Sequence, residues 1–570
     1  MRRYIAATMI ALAFAISALA QDEVLYPGPS QIPEWAKQGK FRFARLDGGP
    51  IEVLKTARSS WGRLFTEKER GVLGNLYTKH SDRMISRLLE ANLNWVWITW
   101  SVGYSWKDEE TQREQCKLMI QKLHAKKMRV TAYLCAVSMF WESMFRDEPR
   151  SVRWLAFDPD GVPYRYSGGR DPMRFIADVS NPEWLEYVKR RIAAAIDAGV
   201  DAIFLDNTAS WSTSEAIENF IAKLRRYVRE DRRSGVLFLT NYGLKPERAV
   251  LNRNMEVVFA EYWREPGVWE DEWDASNIRR FRYVRGIVPE WKPMISEYSN
   301  FHSGNRSTGF LSPRSVKLAI AEAASFRSGY AWDMEGPFDE RLMSGDPLAL
   351  ETWKAIGAYN GFLRDHEDLY VDARDVTPIA VLLSPKLRRK SLITFGWERE
   401  DSGLFDALSK ASILYKILLV SELKEKDLDS CAGVVVPDFV EVPPTVERML
   451  ERYKQHGGKV CEASGPDDVA KVRALAPDAV SVSVEGAPHL IANITRRGGN
   501  GRLLVHLLNY DPSPATSVRV RVHMGKEPGG QVRLITPDAQ TKGLTTVRRT
   551  QSTVEVVLDS LETYGVLAID

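Results

Sequence analysis

The stretch Asp201-Ala202-Ile203-Phe204-Leu205-Asp206 (201–206, DAIFLD) decides how this chain is read. It is a short β-rich run entered from a helical stretch that opens on Asn181-Pro182-Glu183 and carries Leu185, Val188, Ile192 and Ile196 on one face. A strand that follows a helix is the repeating unit of a parallel sheet, so the same alternation is sought on both sides. Upstream lie Phe41 to Leu46 (FRFARL), Trp95 to Trp100 (WVWITW) and Arg129 to Cys135 (RVTAYLC). Downstream lie Val236 to Asn241 (VLFLTN), Glu256 to Glu261 (EVVFAE), Pro293 to Glu297 (PMISE) and Gly329 to Asp333 (GYAWD). Eight such units over about 300 residues predict a (β/α)8 TIM barrel rather than an open doubly wound sheet, and no G-x-G-x-x-G follows the first strand to suggest a dinucleotide. Helix starts support the count: Ser81 precedes Met84, Ile85, Leu88 and Leu89, Ser212 with Glu215 forms a capping-box pattern, and Ser312-Pro313 opens another helix. The weakest unit is the fifth, with about twenty residues from its strand to the next.

Beyond the barrel, a helix from Pro347 to Leu363 closes the first unit and the periodicity restarts. A strand Ile379 to Leu383, a helix Leu404 to Lys416, a strand Ala432 to Val436 and a helix Pro444 to His456 lead to Gly457-Gly458-Lys459-Val460-Cys461. This predicts a small α/β domain over residues 373–478, after a barrel over 21–372. Gly457-Gly458 follows a helix and precedes a strand, the reverse of a phosphate-binding turn, and reads as a helix C-cap. The last residues, 479–570, alternate in short runs (Leu503 to Leu508, Val518 to Val522, Val532 to Ile535, Val554 to Leu558, Val566 to Ile569) and predict an antiparallel β-sandwich.

The chain has 570 residues, 44% apolar and 27% charged, enough for three or four packed domains. Residues 1–20 read as a secretory signal: Arg2 and Arg3, an apolar stretch from Ile5 to Ile16, then Ala18-Leu19-Ala20 before Gln21. That stretch is short for a bilayer crossing, so the expected location is periplasmic or secreted. The net charge of +3 gives no support to a nucleic-acid or membrane-surface partner. Four cysteines make no disulfide framework; Cys116 and Cys135 read as core, and Cys431 and Cys461 sit at strand ends. Eight scattered histidines with no H-E-x-x-H and no C-x-x-C leave no metal site to expect, with only His302 near a strand end, and no cofactor is implied.

In a TIM barrel the reacting groups stand at the C-terminal ends of the strands. There the sequence places Asp47, Asp206 with Asn207, Asn241 with Tyr242, Glu261, Glu297, and Asp333 with Glu335. Aromatic residues accompany them: Trp100, Tyr104 and Trp106, Phe140 and Trp141, Trp211, Tyr262 and Trp263, Tyr298, and Trp332. All seventeen tryptophans but Trp397 precede residue 366, so the aromatic weight lies on the barrel. Carboxylates ringed by aromatic faces suit sugars, which stack on rings and hydrogen-bond through hydroxyls. A large barrel also buries tryptophans for packing alone, so each single ring carries two readings. The long connection 136–180, with Phe140, Trp141, Trp154, Phe157, Tyr164, Tyr166, Arg170 and Arg174, is expected to fold over the mouth.

Two carboxylates facing one bond divide the acid and nucleophile roles without a metal. Asp206 is the candidate nucleophile; Glu261 is the candidate acid/base, with Glu297 as its rival. The substrate-binding set is Asp47, Trp100, Trp141, Asn207, Trp211, Asn241, Tyr242, Trp263, Tyr298, His302, Trp332, Asp333 and Glu335.

Asp178-Val179-Ser180-Asn181-Pro182-Glu183-Trp184, followed by Gly199-Val200-Asp201-Ala202-Ile203-Phe204-Leu205-Asp206-Asn207, resembles the third-to-fourth-strand region of barrel glycoside hydrolases of the α-galactosidase-like and α-fucosidase-like families. The resemblance implies a retaining mechanism with the strand-four aspartate, here Asp206, as nucleophile. In the α-galactosidase-like clan the acid/base is an aspartate at the end of strand six, the place held here by Glu261. The domain order, with the passage Val446 to Val460 (VERMLERYKQHGGKV), resembles the family 42 β-galactosidases, whose middle domain is similar to a glutamine amidotransferase and often mediates trimers. That resemblance implies a homo-oligomer formed through the middle domain. The family uses an Asn-Glu pair after strand four and a Glu after strand seven; Glu297 matches the second, and Asp206-Asn207 stands in place of the first. The expected function is an exported glycoside hydrolase acting on an oligosaccharide or glycoside. The competing reading is a carbohydrate-binding protein that kept the barrel without catalysis.

Overall fold

The computed structural model describes residues 26–46, 80–166, 174–206, 208, 214–241, 253–261, 264–269, 272–298, 310–334, 337–384, 402–498, 501–525 and 531–570. Eight strands close a barrel: β1 (Phe43–Leu46), β2 (Trp95–Ser101), β3 (Arg129–Cys135), β4 (Ala202–Asp206), β5 (Leu237–Thr240), β6 (Val257–Ala260), β7 (Met294–Tyr298) and β8 (Gly329–Asp333). Each pairs in parallel with its neighbours in the chain, and β1 pairs with β8 to complete the ring. All eight predicted runs are strands of this ring, with ends shifted by a residue or two.

The helices that cover the barrel start where their caps place them. α1 (Asp82–Glu90) is capped by the Ser81 hydroxyl, which accepts from the Met84 amide. α2 (Glu110–Ala125) buries Cys116, Met119, Ile120 and Leu123 against the strands. α3 (Pro182–Asp197) has Pro182 at its first position and the Asn181 side chain accepting from the Glu183 and Trp184 amides. Its buried face is turned from the expected one: Trp184, Val188, Ile192 and Ala195 are buried, while Leu185 and Ile196 are partly exposed. The Trp184 indole donates to the Ala136 carbonyl and fixes that rotation. α4 (Ser214–Arg226) follows, and Ser212 of its expected capping box lies outside the described residues. α5 (Ser276–Ile287), α6 (Pro313–Ser325, capped by Ser312) and α7 (Pro347–Asp365, capped by Asp346) complete the set that matters here.

The described parts of the connection after β3 hold regular structure. Ser138–Phe140 and Arg174–Ile176 pair antiparallel, so the excursion returns to the barrel wall at Arg174. Residues 1–20, expected to be a secretory signal, lie outside the described residues. No helix among the described residues is long and apolar enough to cross a membrane.

The middle of the chain forms a four-stranded parallel sheet in which β9 (Ile379–Leu383) lies between β10 (Tyr415–Leu419) and β11 (Gly433–Pro437), with β12 (Lys459–Ala463) outside β11. That order, second strand first, is the flavodoxin-like one. Here one expectation is corrected: the helix read from Leu404 to Lys416 ends at Lys410, and Tyr415–Leu419 is a strand. The chain turns at Ser412, whose φ is positive, and Tyr415, Ile417 and Leu419 are buried on alternate positions, a period of two that a continued helix would break. β10 packs on α5, and a Cβ at Gly286 would lie 2.0 Å from the Ile417 carbonyl oxygen, so only glycine admits this approach. Gly457, with φ of 87°, closes its helix as a C-cap.

The C-terminal part is a sandwich of a five-stranded and a four-stranded antiparallel sheet around Val505, Leu507, Val520, Val556 and Leu567. Arg374–Asp375 adds an edge strand to the larger sheet from before the middle domain. Lys542–Arg549 is a strand that composition hides, because most of its residues are exposed and three of them are basic.

Candidate active site

Side-chain alternation along the strands settles which residues reach the lumen. Phe43, Trp95, Trp97, Phe204, Leu239, Phe259 and Ile295 fill the interior as one apolar cluster. Trp97 lies 4.2 Å from Phe204 and 4.9 Å from Tyr133, which makes an aromatic floor. Continuing the same parity towards the C-terminal ends brings Arg45, Cys135, Asp206, Asn241, Glu261, Glu297 and Asp333 above that floor, with the Tyr133 hydroxyl reaching up to Asp206.

These side chains are joined into one network. The Asn241 amide nitrogen donates to Asp206 Oδ1 at 2.6 Å and to Glu261 Oε2 at 3.2 Å, so these two carboxylate oxygens are no further apart than the two bonds laid end to end. The Tyr133 hydroxyl donates to Asp206 Oδ2. Arg45 places Nη1 2.5 Å from Glu297 Oε1 and 3.9 Å from Glu261 Oε1, with Nε 3.9 Å from Asp333 Oδ1, and its guanidinium lies over the Trp97 ring. Asp206 and Glu261 keep 8% and 7% of their surface exposed, whereas Glu297 keeps 1% and Asp333 none.

Burial pushes the Glu261 carboxyl well above the ordinary glutamate range; the Glu297 and Asp206 carboxylates add to the rise, and Arg45 opposes it. Tyr133 is pushed well above 10, first by burial and then by Asp206, so its hydroxyl keeps its proton as a donor. One carboxyl is thus disposed to hold a proton while another is held by two donors, a division of roles set by surroundings.

The excursion adds a cation at the margin. Arg174 donates through Nε to Ser138 Oγ at 2.8 Å and through Nη2 to Cys135 Sγ at 2.9 Å, and stacks 4.2 Å from the Tyr166 ring. Cys135, expected as core, is buried but faces the lumen, opposite Asp206 in the β3–β4 register.

Of the sequence candidates, Asp206, Asn241, Glu261, Glu297 and Asp333 are brought together. Trp100, Tyr298 and Trp332 are not: their positions have the opposite parity and lie between barrel and helices. Trp100 is fully buried there, Tyr298 donates to Glu322 on α6, and Trp332 packs edge-on against Phe338 and Trp353. Those three readings as substrate-binding residues are corrected accordingly. Trp141 sits on the short helix Trp141–Asp147 with its ring against Phe145. Asp47, Asn207, Trp211, Tyr242, Trp263, His302 and Glu335 lie outside the described residues. Arg45 and Tyr133 were not among the sequence candidates, and Arg174 was named only within the connection expected to fold over the mouth. For Arg45 and Tyr133 the signal was available, since each stands two positions beyond an inward residue of its own strand. No group of three metal-ligating side chains occurs among the described residues.

No family model matches the chain, and no curated protein matches it in sequence. Solved structures match it in fold. Alpha-L-fucosidase isoenzyme 2 from Paenibacillus thiaminolyticus is 14% identical over 93% of this chain and 99% of its own, with a TM-score of 0.66. A cycloisomaltooligosaccharide glucanotransferase from Paenibacillus sp. is 11% identical over 94% of this chain and 85% of its own, with a TM-score of 0.53. The debranching enzyme of Nostoc punctiforme is 10% identical over 95% of this chain and 100% of its own, with a TM-score of 0.50. At these identities the likeness is one of fold, and it runs through nearly the whole chain. None of the three is a family 42 β-galactosidase, the family that the domain order resembles.

Proposed function

We propose that this protein is a retaining glycoside hydrolase in which Asp206 is the nucleophile and Glu261 the general acid/base. The observation that carries the reading is the Asn241 amide shared between Asp206 and Glu261, which keeps the two carboxyls at close range. Carboxyl groups about 5 to 5.5 Å apart suit attack by one on the anomeric carbon, and about 6.5 to 9.5 Å would leave room for a water instead. Asp206 attacks C1 while Glu261, its proton held by burial and by Glu297, gives that proton to the leaving oxygen. Glu261 then takes a proton from the water that releases the sugar from Asp206. Tyr133 and Asn241 fix the Asp206 carboxylate, and the buried Asn241 Oδ1, without a protein donor among the described residues, is left to accept a sugar hydroxyl. Arg45 pairs with Glu297 beside Glu261, which makes Glu297 an electrostatic partner rather than the acid.

The fold neighbours act on glycosides, one of them named for α-L-fucosides, and this supports a saccharide substrate. The test is hydrolysis of a panel of aryl glycosides that includes the α-L-fucoside, followed by release of product by the Asp206→Asn variant. Turnover by the parent chain and none by the variant is expected; near-normal turnover by the variant removes Asp206 from the role. We further propose export, with a mature chain starting at Gln21, which N-terminal sequencing of the secreted protein checks. The strand order of the middle sheet supports an amidotransferase-like module with a structural role.

A further inference from the structure

The C-terminal sandwich reaches the barrel through α6, a contact whose catalytic consequence alone rests on the glycosidase reading. Glu322 on α6 is fully buried and lies between barrel and sandwich. Its Oε2 accepts from the Tyr298 hydroxyl at 2.7 Å and from the Asn277 amide at 3.0 Å, and its Oε1 accepts from the Tyr510 hydroxyl. Tyr510 belongs to the sandwich, just beyond the strand Leu503–Asn509. Tyr298 directly follows Glu297 at the end of β7. Asn277, in the first turn of α5, also brackets Arg264: its amide donates to the Arg264 carbonyl at 2.9 Å and its oxygen accepts from the Arg264 amide at 3.0 Å. Arg264 lies just beyond Glu261.

One buried carboxylate therefore ties a sandwich residue to Tyr298, next to Glu297 at the end of β7, and through Asn277 to Arg264, three residues beyond Glu261. We propose that Tyr510 and Glu322 are positioning residues, through which the C-terminal sandwich sets the placement of Glu261 and Glu297. A hydrogen bond to a charged acceptor is worth more than a neutral one, and a buried carboxylate that loses a donor has no water to replace it. Small displacements of a proton donor lower turnover steeply without a matching loss of ground-state binding.

The test compares Tyr510→Phe and Glu322→Gln with a control, Lys317→Met. Lys317 lies on the same α6 and joins the sandwich at Glu562, 2.8 Å away, without touching Glu322. Hydrogen–deuterium exchange is read on the intact chain in peptides that contain Arg264 and Tyr298. Exchange in these peptides is expected to rise roughly tenfold in Tyr510→Phe and Glu322→Gln and to stay at the parent rate in Lys317→Met. With a hydrolysed aryl glycoside, kcat is expected to fall roughly tenfold in the two network variants with KM within about twofold. Faster exchange confined to sandwich peptides, or equal changes in the control, would overturn the proposal. Absence of hydrolysis by the parent chain would sink the glycosidase reading, while the exchange measurement would still decide this one.

Discussion

Glu256 and Glu261 stand at the two ends of β6 and have opposite surroundings. Below the barrel, Glu256 takes both forks of Arg225 at 2.8 Å, Arg229 at 2.8 Å and the Phe238 amide at 2.8 Å. Burial acts to raise its pKa, but Arg225, Arg229 and that amide outweigh burial and hold it down at about 2. At the mouth, Glu261 shares one arginine with Glu297 and Asp333, and burial together with neighbouring carboxylates drives its pKa up. The same residue type flanking one strand is thus held as an anion before it and pushed towards its protonated form after it. The difference follows the division of such barrels, whose N-terminal face serves stability and whose C-terminal face serves chemistry.

The contrast breaks most visibly at Asp206. Asp206→Asn is expected to lower kcat on an aryl glycoside by about 10⁴-fold or more with the melting temperature near the parent's, as read by steady-state kinetics and thermal unfolding. Glu261→Gln is expected to lose about 10²- to 10⁴-fold, less on substrates with acidic leaving groups, because those need little protonation. Glu256→Gln should invert this pattern. It leaves Arg225 and Arg229 facing a neutral amide and is expected to destabilise the fold by about 3–5 kcal/mol in denaturant unfolding, while the folded fraction keeps parental kcat. In the parent, the Glu256 contribution is complete above the ordinary carboxylate range and fades as pH falls towards about 2.

A subtler change is expected of Glu297→Gln. Removing that carboxylate takes away a charge that raises the Glu261 pKa and frees Arg45 to lower it, so the alkaline limb of the kcat–pH profile should move to lower pH. An unmoved limb would mean that Glu261 is not the titrating acid. The smallest effect is expected of Trp332→Phe. Its ring packs against Phe338 and Trp353 outside the lumen, so stability falls by roughly 1–3 kcal/mol and KM stays unchanged.

Much of this was legible in the chain, for reasons that differ between regions. The eight barrel strands announce themselves because parallel strands are buried on both faces and read as continuous apolar runs, and Ser81, Asn181 and Ser312 mark helix starts by a local hydrogen bond. The start of the strand Tyr415–Leu419 was absorbed into a helix because Leu404, Phe405 and Leu408 before it carry a helical spacing that the turn at Ser412 interrupts. The rim aromatics were over-counted for another reason. Trp100, Tyr298 and Trp332 stand at strand ends, where proximity in sequence to Ser101, Glu297 and Asp333 hides that adjacent residues of a strand face opposite ways.

By itself the sequence determined the number and order of the barrel strands, the starts of the helices at Ser81, Asn181 and Ser312, and the gathering of carboxylates at one end of the barrel. These depend on local periodicity and on hydrogen bonds between residues a few positions apart. Only the tertiary structure decided that Asn241 spans Asp206 and Glu261, that Arg45 from the first strand is held by Glu297 from the seventh, and that Tyr510 reaches Glu322. Ring closure brings together side chains from distant parts of the chain, and the charge state of a buried carboxyl is set by those neighbours rather than by the residues beside it in sequence.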